Sequence, residues 1–142
     1  MGGKYKNNVG NVENKIEFLK SYKFSIAMEN TEGNGYITEK IIESFLAGTI
    51  PIYYGDYMAD EFINPKSFIL ITGEKDMKKK IEYIIKIDKN DDLYRKILKE
   101  KIFNDENILK KTEREYSDFL LNIFEQDKKK AKRVDNIKFN NY

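Results

Sequence analysis

Cysteine is absent from the 142 residues of this chain, and so is histidine. Without cysteine there is no disulfide framework, no thiol nucleophile and no thiolate metal ligand, a composition that suits a reducing compartment. Without histidine, triads built on imidazole are excluded, and any proton transfer falls to Asp, Glu, Lys or Tyr. Long apolar runs are lacking too. Met1-Gly2-Gly3-Lys4 opens no stretch of signal-peptide length, and nothing approaches the roughly 20 apolar residues of a membrane span. The expectation is a soluble, cytoplasmic chain. Nor is there an excess of one charge: 26 Lys and Arg against 24 Asp and Glu give a formal +2, which argues against general attraction to nucleic acid.

What is present suits one globular domain. An apolar fraction of 40% can build a core, while 35% charged residues solvate its surface. The Gly- and Asn-rich stretch from Met1 to Asn14 reads as loop, and Ile16, Phe18 and Leu19 as a short lead-in helix. Tyr22 to Met28 reads as a strand. A turn-rich loop follows from Glu29, and Ile37, Ile41, Ile42, Phe45 and Leu46 recur at helical spacing, predicting a helix from about Thr38 to Ala47. Thr38 is placed to cap it, Gly48 to end it in the left-handed region, and Pro51 to prevent its continuation. Thr49 to Tyr54 is a nearly continuous apolar run, as in a strand buried on both faces of a parallel sheet. Strand, loop, helix and strand make a βαβ unit. An irregular stretch, a short apolar run at Phe68 to Ile71, and helices near Met77 to Lys86, Leu93 to Ile102 and Asn107 to Phe124 complete an α/β pattern. The organisation expected is loop and lead-in helix over residues 1–20, a Rossmann-like domain with C-terminal helices over 21–127, and a basic tail lacking order over 128–142.

In such a sheet ligands bind beyond the carboxyl ends of the strands, where a following helix directs free N–H groups and the positive end of its dipole. The loop from Glu29 to Tyr36 lies there. Lys40, in the first turn, suits a phosphate, and Glu39 beside it suits the paired hydroxyls of a ribose. Taken alone, Thr38-Glu39-Lys40 is more simply read as good capping chemistry. The Rossmann glycine fingerprint and the P-loop pattern are both missing.

The longer runs carry more. Tyr22-Lys23-Phe24-Ser25-Ile26-Ala27-Met28-Glu29-Asn30, then Gly35-Tyr36-Ile37-Thr38-Glu39-Lys40-Ile41-Ile42, then Phe45-Leu46-Ala47-Gly48-Thr49-Ile50-Pro51-Ile52-Tyr53-Tyr54-Gly55 closely resemble the donor-binding signature of the α-1,3-fucosyltransferases. Asn64 to Ile69 continues the likeness, and Gly2-Gly3-Lys4-Tyr5 with Asn8 and Gly10 resembles the segment just upstream. Met28 and Tyr54 stand where the family more often has Phe and Trp, changes of similar bulk. The resemblance implies the C-terminal, donor-binding half of a GT-B fold, with GDP-fucose as the donor and no obligatory metal or other cofactor. By position, Lys40 would contact the diphosphate, Glu39 the ribose, and Asn30 and Tyr36 the phosphate and sugar, with Glu29, Gly35 and Thr38 in support. Such enzymes invert at the fucose carbon, using a carboxylate base from an N-terminal domain that also receives the glycan acceptor. No catalytic residue is therefore assigned within this sequence, and the family's phosphate-binding arginine would precede it. Another nucleotide-sugar transferase of the same architecture, or a binding module without activity, are the alternatives.

Four further features need separate readings. Asp56, Asp60 and Glu61 cluster after the second strand and are expected to be a solvated loop rather than a metal site. Tyr53 and Tyr54, facing opposite ways on one strand, are expected to pack. The block Lys128 to Arg133 suits either a solvated tail or contact with an anionic inner membrane surface. The helix from Asn107 to Phe124 carries Tyr116, Phe119, Leu120, Ile123 and Phe124 on one side, which invites self-association if that side is exposed.

Overall fold

The computed structural model describes residues 12–31, 33 and 35–127. Residues 1–11 of the expected N-terminal loop, with its Gly-Gly-Lys-Tyr segment, and the basic tail over 128–142 with its Lys128 to Arg133 block lie outside those residues. Among the described residues nine elements follow in order: α1 (Lys15–Leu19), β1 (Phe24–Met28), α2 (Glu39–Leu46), β2 (Ile50–Tyr54), α3 (Ala59–Phe62), β3 (Ile69–Ile71), α4 (Glu74–Asp88), α5 (Asp91–Leu98) and α6 (Ile108–Glu125). The three strands form a parallel sheet in the order β1-β2-β3, with Ala27 opposite Tyr53 and Tyr53 opposite Leu70.

Parallel neighbours must be joined by a crossover, and α2 returns the chain from β1 to β2. It does so because Ile41 seats its apolar side against the sheet. On that face Ala27, Ile41, Tyr53, Ala59, Ile63 and Phe68 make one core cluster; on the opposite face Ile50 and Ile69 pack with Ile87 of α4 and Ile97 of α5. The central strand β2 is thus covered on both sides, as its unbroken apolar run requires. Edge strand β1 is not: Ile26 is 75% exposed. Gly48, at φ +73°, ends the helix as expected. Beyond it a buried relay ties helix to sheet, with the Ser25 hydroxyl bonded to Thr49 Oγ1 at 2.6 Å and Thr49 donating to the Ser44 carbonyl at 2.9 Å.

Two compact units divide the chain after Asn104. The second holds α6, on which Tyr116, Phe119, Ile123 and Phe124 are exposed. Among the described residues no helix is long and apolar enough to cross a membrane. Differences from the sequence expectation are local. The stretch after Gly55 contains α3, a single turn too short to show periodicity, and α5 ends at Leu98 instead of Ile102.

Ile41 is fully buried between helix and sheet, so Ile41→Ala should lower unfolding free energy by about 2–5 kcal/mol through lost contacts and the cavity left behind. Urea denaturation reads this; a change below about 0.5 kcal/mol would mean that α2 is not anchored by that side chain.

Candidate functional site

The carboxyl ends of β1 and β2 lie side by side because the strands are parallel, and the Glu29 amide extends the ladder by donating to the Tyr54 carbonyl at 2.9 Å. Glu29 therefore sits where the sheet stops, beneath the loop that leads to α2. Its side chain is 0% exposed. Three donors converge on it: the Thr38 amide at 2.9 Å, the Thr38 hydroxyl at 3.0 and 2.8 Å to its two oxygens, and the Lys40 ammonium at 3.0 Å. Burial by itself pushes the Glu29 carboxyl up, but the bonds from Thr38 and Lys40 outweigh it and hold the group below the ordinary glutamate range. Lys40 is raised above the usual lysine value, chiefly by its bond to Glu29.

This corrects the capping expectation. Thr38 occupies the N-cap position, but its side chain makes no capping bond to the helix backbone; its hydroxyl turns to Glu29 instead. A buried carboxylate is the stronger acceptor, and the N–H groups of the first turn are left unengaged by the Thr38 side chain. Glu39, its side chain 64% exposed, reaches outward, with Oε1 3.6 Å from the Lys40 ammonium. It lies below the ordinary glutamate range, mainly through its own backbone amide and against a desolvation that works the other way.

Asp56 is a second correction. The solvated loop expected there is instead anchored by a buried side chain, which accepts from the Gly35 amide on Oδ2 and from the Met58 amide on Oδ1 at 2.9 Å. Asp60 and Glu61 are exposed, as expected. The Gly35 bond fixes the turn at which Gly35 adopts φ +76°, a conformation suited to glycine. Gly55 is required for closeness instead: a Cβ there would lie 2.6 Å from Glu29 Cγ and from the Tyr53 hydroxyl. Tyr53 is fully buried, and Tyr54 borders a cleft of about 320 Å³ with Gly33, Gly55, Asp56, Tyr57 and Thr72. Glu29, Glu39 and Lys40 are not among its walls, so the charged cluster and the cleft are separate features of one rim.

Of the residues singled out from sequence, Glu29, Thr38, Glu39 and Lys40 are brought together; Gly35 is tied in through Asp56, and Asn30 and Tyr36 are exposed on the same loop. Asp56 was missed as a contributor to the site. Its only local signal is its position one residue past Gly55, at the end of the recognisable run.

A parallel βαβ unit with an acidic residue and a lysine opening its helix at the strand ends defines a class of ligand-binding α/β domain. Within that class the match is specific: the model for glycosyltransferase family 10 (fucosyltransferase), C-terminal part, covers residues 1–138. The chain belongs to that family. The alpha-(1,3)-fucosyltransferase FucT of Helicobacter pylori is 42% identical over 104 residues, 72% of this chain and 22% of that protein. The alpha-(1,3)-fucosyltransferase B of Drosophila melanogaster is 38% identical over 91 residues, 63% of this chain and 20% of that protein. A solved α1,3-fucosyltransferase with GDP-fucose superposes at a TM-score of 0.78 and 35% identity, covering 93% of this chain and 41% of that one. Another, with GDP, gives 0.65 and 43% over 70% of this chain and 29% of that one. These relatives are glycosyltransferases, and the GT-B, Rossmann-like architecture expected from sequence is the one found. The chain spans about a fifth of the length of these two curated relatives.

Removing the Asp56 carboxylate leaves two amides without their partner. Asp56→Ala should cost about 1–3 kcal/mol of stability and, more tellingly, accelerate hydrogen exchange at the Gly35 amide relative to the helix interior. Unaltered protection of Gly35 would show that the loop is held by something else.

Proposed function

We propose that this chain forms the donor side of an inverting α-1,3-fucosyltransferase, binding GDP-fucose at the loop from Glu29 to Lys40. The observation that carries the reading is the pair at the start of α2: an ammonium poised beside the helix N-terminus for the diphosphate, and a largely exposed carboxylate next to it for the ribose hydroxyls. The relatives solved with GDP and GDP-fucose support the choice of nucleotide. Asn30 and Tyr36, exposed along the same loop, would meet the phosphate and sugar. A surface polysaccharide is the acceptor class we favour.

Inversion by direct displacement needs an acceptor hydroxyl, and a base to take its proton, on the face of the fucose carbon opposite the leaving diphosphate. The carboxylates near the pair are otherwise engaged, Glu29 by Thr38 and Lys40 and Glu43 by Lys15, so the base and acceptor site belong on the other side of a cleft.

Two measurements test this. Calorimetric titration should show weak binding of GDP and GDP-fucose with UDP-sugars poorer or silent, and Lys40→Ala should weaken GDP binding roughly ten- to a hundredfold, with some fall in melting temperature because it also removes a partner of the buried Glu29 carboxylate. Equal affinity for GDP and UDP, or a collapsed melting temperature with affinity retained, would sink the donor assignment. Separately, the 142-residue chain incubated with GDP-fucose and glycan acceptors should release no fucosylated product, and adding an acceptor-side domain from a relative should restore turnover. Robust transfer by the chain alone, lost in Glu29→Gln or Glu43→Gln, would locate the base here after all.

A further inference from the structure

The Lys40 ammonium has three N–H bonds, and two are accounted for. One goes to Glu29 Oε2 and one to Thr38 Oγ1, each at 3.0 Å. The Glu39 carboxylate, at 3.6 Å, attracts the charge but is too far to take the third as a hydrogen bond. The direction of that third bond is thus set before any ligand arrives. A lysine stem is flexible, and at a helix start it would ordinarily sample several rotamers. Here its tip is held by a carboxylate that is itself immobile, because Glu29 is walled in and receives the Thr38 amide and hydroxyl. The room for this arrangement comes from Gly55, where any Cβ would strike Glu29 Cγ.

We propose that Glu29 is a positioning residue for donor binding: from the carboxyl end of β1 it locks the Lys40 ammonium against the first turn of α2, so that a phosphate oxygen meets a cation already aimed at it. The proposal rests on the diphosphate reading given above. It competes with a plainer role in which Glu29 merely neutralises Lys40 and so weakens its pull on phosphate. The two differ in sign. Loss of the carboxylate charge lowers nucleotide affinity if Glu29 positions Lys40, and raises it if Glu29 only competes with the ligand.

The test is a double-mutant cycle read by calorimetric titration of GDP into the wild-type chain, Glu29→Gln, Lys40→Ala and the double variant. Glutamine keeps the shape of the side chain while removing its charge and presenting an amide to donors that need an acceptor. Glu29→Gln should weaken GDP binding roughly tenfold, and the double variant should bind no worse than Lys40→Ala alone, because the effect runs through the lysine. A role confined to general support of the fold would cost the same factor with or without Lys40, and that outcome overturns the proposal, as does unchanged or tighter binding in Glu29→Gln. In the unliganded protein the Lys40 Cε resonance should titrate at lower pH in Glu29→Gln, verifying that the contact exists. Should Glu29→Gln fail to fold, Thr38→Val removes the bridging hydroxyl with little change of shape, and the same non-additivity with Lys40→Ala is expected. Failure of the wild-type chain to bind either GDP or UDP would instead bring down the diphosphate reading itself, and this proposal with it.

Discussion

A carboxylate buried at the end of a strand must find its hydrogen bonds within the protein, and Glu29 finds them at the first turn of the next helix. That requirement organises the site. It draws Thr38 off its usual capping duty, brings Lys40 inward until only 20% of its side chain is exposed, and leaves Glu39 facing solvent. It also accounts for Gly55, since the bulk of any other side chain at that point would displace the carboxylate or the buried Tyr53 hydroxyl. The energetic consequence is directional: breaking one partner of such a group strands the other, which costs more than the bond contributes when made.

Glu29 and Asp56 follow consecutive parallel strands, and between them they hold the intervening loop at two points, Thr38 and Gly35. Parallel pairing makes this geometry available, because it sets two successive strand ends next to each other on the side where the helix begins. The Asp56 amide, in turn, donates to the Tyr53 hydroxyl at 3.3 Å, so the loop is linked to the core through the side chain that fills it. A ligand bound above this loop would meet a surface whose shape is fixed by buried groups.

The βαβ unit was legible because its signals are local. Ile37, Ile41, Ile42 and Phe45 mark a helical face, Gly48 and Pro51 bracket its end, and the apolar run from Thr49 to Tyr54, bounded by Gly48 and Gly55, reads as a strand covered on both sides. Long-range bonds were not legible in this way. Nothing in the residues around Thr38 says that its hydroxyl prefers a carboxylate nine positions earlier to the backbone it caps, and nothing around Asp56 points to an amide 21 positions back. Both depend on burial, which spacing does not reveal. The single turn of α3 escaped for another reason, since four residues cannot display a 3.6-residue period. The roles proposed for Asn30, Tyr36, Glu39 and Lys40 came from resemblance to a family signature, and generic spacing alone would have stopped at a well-formed helix start.

Charge at the start of α2 does not by itself favour an anion. One ammonium faces two carboxylates, Glu29 and Glu39, so the local sum is negative. A diphosphate is accommodated there only if the three charges are spatially sorted: Glu29 withdrawn beneath the loop behind Thr38, Glu39 extended toward solvent, and the lysine between them with one N–H bond that no described residue takes. The N–H groups of the first turn, which the Thr38 side chain does not cap, and the aligned peptide dipoles then add attraction from the same side, effective within about one turn of the helix end. Sorting of this kind trades raw electrostatic pull for discrimination. An anion without hydroxyls to engage Glu39 would meet its repulsion uncompensated, whereas a nucleoside diphosphate, bound as proposed, would present ribose hydroxyls to that carboxylate and phosphate to the ammonium. On the proposed reading, the exposed glutamate would act against simple phosphates as much as for a nucleotide.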